Sequence, residues 1–228
     1  MKAEIRRPKA EGNPKGETRR ALVCFAVKEE ARAFQKLAGE RDDLKVILVG
    51  MGKRNAERAI RAALAKERPQ LVLTCGFAGG LRPDLAMGTV LFAADAESSL
   101  EPALLSAGAK PGRFHCAERV AATAEQKRAL WEATGADAVE MESEAICAVC
   151  REQSIPSATL RVILDTAEED LPLDFSRLMT ADEKMSYSKL ALALAKSPGK
   201  VGALVRLQKE ARAAAEKLAE VLARITEA

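Results

Sequence analysis

Residues 136–175, ADAVEMESEAICAVCREQSIPSATLRVILDTAEEDLPLDF, constrain the fold more than any other stretch of the chain. A short β-type run, Ala136 to Val139, leads into Glu140, Met141 and Glu142. A helical pattern follows to about Glu152, with Ala145, Ile146 and Val149 on one face. Ser154 and Pro156 break that pattern, and a second β run, Ala158 to Leu164, delivers Asp165 at its C-terminal end. A strand–helix–strand unit of this kind belongs in an α/β sheet, and in open α/β sheets ligands bind outside the carboxyl ends of the strands. Glu140, Glu142 and Asp165 are therefore candidate site residues. One carboxylate of such a set can bind hydroxyls while another hands over a proton. On spacing alone they read equally well as solvated acids at helix ends, although loops at strand ends carry function disproportionately.

The same alternation runs through the chain. Ala21 to Val27 (ALVCFAV) is a continuous apolar run, as expected of a strand buried on both faces. Lys28-Glu29-Glu30 follows, and a helix is predicted through Ala31, Phe34 and Leu37, which places Glu30 just beyond the first strand. A carboxylate there is favourable with the helix dipole and can also point into a site. Leu44 to Val49 is the second strand, and Gly50-Met51-Gly52 opens a helix from about Arg54 to Lys66. This is half of a dinucleotide fingerprint, but Asn55 stands where the third glycine belongs and no acid ends the next strand at the right distance. The two glycines are better read as a tight turn or a close approach to a ligand. Leu71 to Cys75 is the third strand, ending in Gly76-Phe77-Ala78-Gly79-Gly80, a glycine-rich turn whose N–H groups could face an anion. Gly88 to Ala94 is a fourth strand, Asp95 to Arg113 an irregular loop, Phe114 to Val120 a strand and Ala124 to Thr134 a helix. Strands alternating with helices give an α/β class with a mixed, largely buried central sheet flanked by helices.

Three units are expected: a mobile basic tail over 1–20, an α/β domain over 21–175, and a C-terminal helical extension over 176–228 packed on the same domain. The tail has seven Lys/Arg against three Glu and no apolar period. In the extension, Met185 to Lys196 is helical, Ser197-Pro198-Gly199 stops it, and Val201 to Ile225 is a long amphipathic helix with a stripe through Leu204, Leu218 and Leu222. A membrane-surface helix would be more one-sidedly basic.

Composition closes off several function classes. Hydrophobic residues make up 48% of the 228, enough for a sizeable core, and the net charge of +3 comes without a basic block interleaved with aromatics, so nucleic acid is not an expected partner. Neither a signal peptide nor an apolar run of membrane-spanning length is evident. Five cysteines without secretory context suggest reduced thiols and a cytoplasmic protein. Cys147-Ala-Val-Cys150 has zinc-like spacing, and His115-Cys116 could complete a ligand set. Both cysteines fall inside a predicted helix among apolar neighbours, so they read as core and no metal is expected. His115, the single histidine, has no plausible nucleophile partner for a hydrolytic triad.

Four stretches, taken in order, resemble the nucleoside phosphorylase and nucleosidase superfamily. They are Ala26-Val-Lys-Glu-Glu30, Gly50-Met-Gly-Lys-Arg-Asn-Ala56, Cys75-Gly-Phe-Ala-Gly-Gly-Leu81, and the segment from Val139 (V-E-M-E-S-x-A-I) to Asp165 (R-x-I-x-D-x-A). The resemblance covers roughly Leu22 to Phe175 and implies cleavage of the N-glycosidic bond of a purine nucleoside. It implies that Asp165 protonates or hydrogen-bonds the purine. Met141 and Glu142, with Glu140, would hold the ribose, and Glu30 would orient an attacking water as in the nucleosidase branch. Gly76, Phe77, Ala78 and Gly79 would border the phosphate or water. No cofactor is implied beyond phosphate as a possible co-substrate, and relatives of this kind are homo-oligomers.

The sequence also departs from the family. Phe77 and Leu164 stand where relatives carry serines, and Thr74 is not the phosphate-binding arginine of several phosphorylases. The tail, with Leu171-Pro-Leu-Asp-Phe175 and Ser197-Pro-Gly before a charged helix, resembles the hopanoid-associated phosphorylase group, which implies a lipid-linked adenosyl substrate. The resulting expectation is phosphorolysis of an adenosine-type nucleoside. Hydrolysis by a Glu30-activated water is the alternative, and a nucleoside-binding protein without catalysis is a third reading.

Overall fold

The computed structural model describes residues 20–173, 180 and 198–226. The basic tail, apart from Arg20, and the helix expected over Met185 to Lys196 lie outside them.

The apolar runs pair as a mixed eight-stranded sheet in the order β2-β1-β3-β8-β4-β5. β1 (Ala21–Phe25) lies parallel between β2 (Leu44–Leu48) and β3 (Leu71–Gly80). β8 (Ser157–Asp165) is parallel to β3, while β4 (Val90–Ala94) runs antiparallel to β8 and pairs with the short β5 (Lys110–Pro111). Two more strands join at the far end of β3: β7 (Ala138–Glu140) pairs with it antiparallel, and β6 (Phe114–Cys116) runs parallel to β7.

The pleat divides the core into two layers. Val23, Phe25, Leu73, Leu160 and Val162 face one way, against Phe34 of α1 (Lys28–Ala38), Leu104 of α3 (Glu101–Ser106), and Leu218 and Leu222 of the last helix, α6 (Val201–Thr226). Leu22, Cys24 and Val72 face the other way, against Ile60 of α2 (Lys53–Leu64) and Ile146, Val149 and Cys150 of α5 (Ser143–Glu152). Burying each such large apolar side chain contributes about 1.5–3 kcal/mol. Among the described residues, the buried side chains of α6 begin at Ala214, and Val201 and Val205 of the expected stripe are exposed. No helix among the described residues is long and apolar enough to cross a membrane.

α4 (Ala124–Thr134) matches its expected limits and is capped by Thr123, which accepts from Gln126 N at 3.2 Å. The Asp95–Arg113 loop carries α3 and β5, and the strand expected over Phe114 to Val120 ends at Cys116.

The main correction concerns β3. It does not stop at Cys75 but continues as strand through Gly80, so the glycine-rich segment is not a turn. Tertiary pairing overrides the poor strand propensity of glycine here. Phe77 and Ala78 pair with Val162 and Ile163 of β8 on one side, and Gly79 and Gly80 with Val139 and Ala138 of β7 on the other.

Candidate active site

The long β3 brings four elements to one place. β1 delivers Glu30 in the first turn of α1, β7 ends at Glu140, α5 begins beside Glu142, and β8 carries Arg161 and Asp165.

Arg161 is the centre of the site. It sits between Leu160 and Val162 in a buried strand and is itself 1% exposed. A buried guanidinium is tolerated only with partners. Its Nη2 donates to Glu140 Oε2 at 2.5 Å, to Thr74 Oγ1 at 3.3 Å and to Glu142 Oε2 at 3.4 Å.

Glu140 is fully engaged. Oε2 also accepts from the N–H groups of Glu142 (3.0 Å) and Ser143 (2.8 Å), and Oε1 accepts from Ser143 Oγ at 2.7 Å. Burial pushes this carboxyl upward, but Arg161 and the α5 start outweigh it and hold it below the usual range. The sequence groups Glu140 with Met141 and Glu142 at the ribose; in the fold its oxygens accept from protein donors. Its acceptors face inward, so it anchors Arg161 and the start of α5.

Glu142 is differently placed. Oε1 accepts from Gly52 N at 2.8 Å, a close approach that Gly52 makes at φ +81°. Oε2 has only the long contact to Arg161. Burial, with Glu140 and Glu30 nearby, raises Glu142 to about 7 against the pull of Arg161 and Gly52. Met141 is buried beside it.

Glu30 folds back over its own helix start. Oε2 accepts from Ala26 N (2.9 Å) and Val27 N (3.2 Å), and Oε1 accepts from Phe77 N (2.8 Å). Burial raises its pKa although Arg161 and these three N–H groups oppose the rise. Gly76, at φ +154°, makes room for the arrangement. A Cβ there would stand 2.5 Å from both Arg161 Nη1 and Glu30 Oε1. Gly76→Ala is therefore expected to lower kcat/KM by about 10²-fold, the cost of displacing reacting groups by about an ångström. Steady-state kinetics beside a thermal melt checks this, since a purely local effect leaves most of the stability in place.

Asp165 lies further along. The β3–β8 register shifts after Ala78, so Asp165 rather than Leu164 stands opposite Gly79. Such an irregularity re-aims a side chain. Asp165 forms an ion pair with Lys127 of α4, and burial still raises its carboxyl above the ordinary range, with Lys127 opposing. From Gly76, beside Glu30, to Gly79, beside Asp165, is three strand residues, roughly 10 Å at the usual rise. That separation suits a sugar at one end and a base at the other.

Sequence reasoning missed Arg161 and Lys127. Phe77 offers Glu30 its N–H, and its side chain packs against the α1–α6 core layer, as does Leu164. The N–H groups of Leu81 and Arg82 go to the Asp137 carbonyl. The Gly76–Gly79 segment is thus a paired wall of the site and not a free anion cradle. Of the cysteines in the zinc-like pattern, Cys150 is buried in the α2–α5 layer and burial raises the thiols of both Cys147 and Cys150.

Sheet and site define the class to which comparison with known proteins also leads. The Phosphorylase superfamily model matches residues 27–104 and 101–196. The chain belongs to the phosphorylase superfamily, and it is an enzyme of the class that cleaves N-ribosyl bonds. It is similar to the 5′-methylthioadenosine/S-adenosylhomocysteine nucleosidase of Shewanella sediminis, 25% identical over 178 residues covering 63% of this chain and 76% of the relative. The nucleosidase of the same name from Anoxybacillus flavithermus is also 25% identical, over 62% of this chain and 77% of its own. Among solved structures, the Helicobacter pylori nucleosidase of that name, bound to butyl-thio-DADMe-Immucillin-A, shares the fold with a TM-score of 0.67 at 18% identity, covering 92% of this chain and 98% of that one. The futalosine hydrolase of the same organism has a TM-score of 0.63 at 19% identity, covering 90% and 98%. These relatives are nucleosidases and hydrolases, and phosphorolysis, the expectation drawn from the tail, finds no support among them.

Proposed function

We propose that the protein hydrolyses the N-glycosidic bond of an adenosine-type nucleoside. The observation that carries this reading is the charge balance around Arg161. One guanidinium is shared by Glu140 and Glu142, with Glu30 beside it, and its shortest bond goes to Glu140. With Glu140 held ionised against Arg161, and with Glu30 and Glu142 raised by burial, the cluster has no net positive charge to hold a phosphate dianion. It suits a water molecule and a sugar that becomes cationic in the transition state.

In this reading a water between Glu30 and the sugar attacks C1′ and gives its proton to Glu30. The C1′–N9 bond breaks, and the electron pair moves onto the purine as Asp165 transfers its proton to a ring nitrogen. Glu142 accepts hydrogen bonds from the ribose hydroxyls, and Met141 packs against the sugar. Burial raises Glu30, which suits it to take up the water's proton, and the raised carboxyl of Glu142 is better stabilised as a carboxylate once positive charge develops on the ribose, so its contribution is greater in the transition state than in the ground state. The relatives reported above are named as nucleosidases and a futalosine hydrolase, and the reading kept here is the plain nucleoside, not the lipid-linked one expected from the tail.

The test uses 5′-methylthioadenosine, S-adenosylhomocysteine and adenosine, in phosphate and in phosphate-free buffer. Free adenine and free sugar at equal rates in both buffers are the expected products. A sugar 1-phosphate formed only with phosphate would overturn the assignment.

A further inference from the structure

α4 is attached to the protein in an unusual way. α4 packs Leu130 partly against Leu81, Ala121, Ala136 and Val139, but its only fully buried residue is Lys127, at 0% exposure. Its Nζ donates to the carbonyls of Thr166 and Glu169, both at 2.7 Å, and pairs with Asp165 Oδ2. Two carbonyls thus accept hydrogen bonds from the ammonium, and Asp165 Oδ2 meets it as an ion pair. Burying such an ion costs several kcal/mol before pairing, so a lysine here is an expensive way to hold a helix on. Two further bonds tie the same segments together: Ala124 N to Asp170 Oδ1 at 2.7 Å and Leu171 N to Ala122 O at 2.8 Å. The start of α4 is thus built onto the turn that follows Asp165.

The orientation of Asp165 follows from this contact. Its Oδ2 is sealed from solvent beside Lys127, while the side chain as a whole keeps 12% exposure. Oδ1 is therefore the oxygen left to meet a ligand. Lys127 from α4 and, more weakly, Glu169 from its own turn act on Asp165 in opposite directions, and Asp170 of that turn with Arg206 and Glu210 of α6 line the same cavity.

We infer that Lys127 is a positioning residue for Asp165: it fixes the carboxyl by Oδ2, presents Oδ1 to the departing base, and supplies the positive charge that stabilises the carboxylate left after proton transfer. This rests on the reading of Asp165 as the acid, and the two are tested separately. With aspartate carbon-13 labelled at the carboxyl, the Asp165 resonance, assigned by its loss in Asp165→Asn, is titrated in the wild type and in Lys127→Gln. Glutamine can still donate to the Thr166 and Glu169 carbonyls but carries no charge. Without the ammonium the carboxylate is less favoured, so the Asp165 titration is expected to move to higher pH. The alkaline limb of kcat/KM for 5′-methylthioadenosine, which reports loss of the protonated acid, is expected to move with it. A fall in kcat of about ten- to a hundredfold accompanies the loosened geometry. Lys127→Met serves as a second uncharged variant if the glutamine side chain disturbs the turn. An Asp165 titration unchanged in both variants overturns the inference and leaves the acid reading standing. A shifted titration with wild-type turnover in Asp165→Asn removes the acid reading alone.

Discussion

Asp165→Asn is expected to lower adenine release by about 10²–10⁴-fold, the contribution of a general acid, while the protein remains folded. An amide cannot deliver the proton that the leaving base requires. The substitution is otherwise mild, because an amide oxygen can still face Lys127 and the neighbouring strand is unaffected. Burial opposed by Lys127 raises the Asp165 carboxyl, so a larger protonated fraction is available to the wild type near neutrality than in a free aspartate. The defect should deepen as the pH falls, since the wild type gains its active form there and the variant has none to gain. Single-turnover release of adenine, measured across pH with the fold followed by circular dichroism, checks it. Turnover close to wild type would exclude Asp165 from the chemistry.

Arg161→Leu is expected to cost about 3–5 kcal/mol of stability, the usual penalty for removing one partner of a buried ion pair, and to abolish measurable activity. Leucine fills much of the space but leaves Glu140, Glu142 and Glu30 facing each other around Thr74 with no cation. The sign of the pH dependence distinguishes this from a packing defect. In the wild type Glu140 is held below 4.5, so its contribution is present above the unfolded value and is lost as pH falls through the folded one. Glu142 works in the opposite sense: raised from 4.5 to about 7, it binds its proton more tightly in the native state, and stability declines as pH rises through that window. Without Arg161 both groups are pushed up. The deficit of Arg161→Leu should therefore be largest at pH 8 and shrink toward pH 4, where all the carboxyls can be neutral. Urea unfolding of both proteins at these pH values measures it, and a pH-independent deficit would mean that the guanidinium acts only as volume.

Much of this site was legible because its acids stand where chain direction puts them. Glu30 follows a wholly apolar run, and Asp165 ends another, so the α/β alternation alone brought both toward strand ends. Arg161 carried a signal that went unused: one charge inside ATLRVIL, where both faces of the strand are apolar, requires buried carboxylates nearby. Glu140 could not be told from Glu142 by spacing, because the direction of a side chain at a strand–helix junction depends on which N–H groups it caps. Lys127 gave no signal at all, since a lysine in QKRAL reads as a solvated helix face until the turn after β8 is known to lie against it. The glycines after Cys75 read as a turn by local propensity, and only the presence of a neighbouring strand on either side makes them a strand.

The continuation of β3 through Gly80 bears on how far this scaffold stands from the other chemistry of its superfamily. Where a glycine-rich loop stays open, its amides are free, and a change of co-substrate can come from a few surface substitutions. Here the Phe77 amide is committed to Glu30, and the residues around it run into ladders on both flanks. Exchanging Phe77 for serine would restore a hydroxyl but release no amide and add no positive charge. On the hydrolytic reading proposed above, redirecting this protein toward phosphate would mean unzipping part of its central sheet, so the route between the two reactions passes through the folding of the domain as well as its active-site side chains.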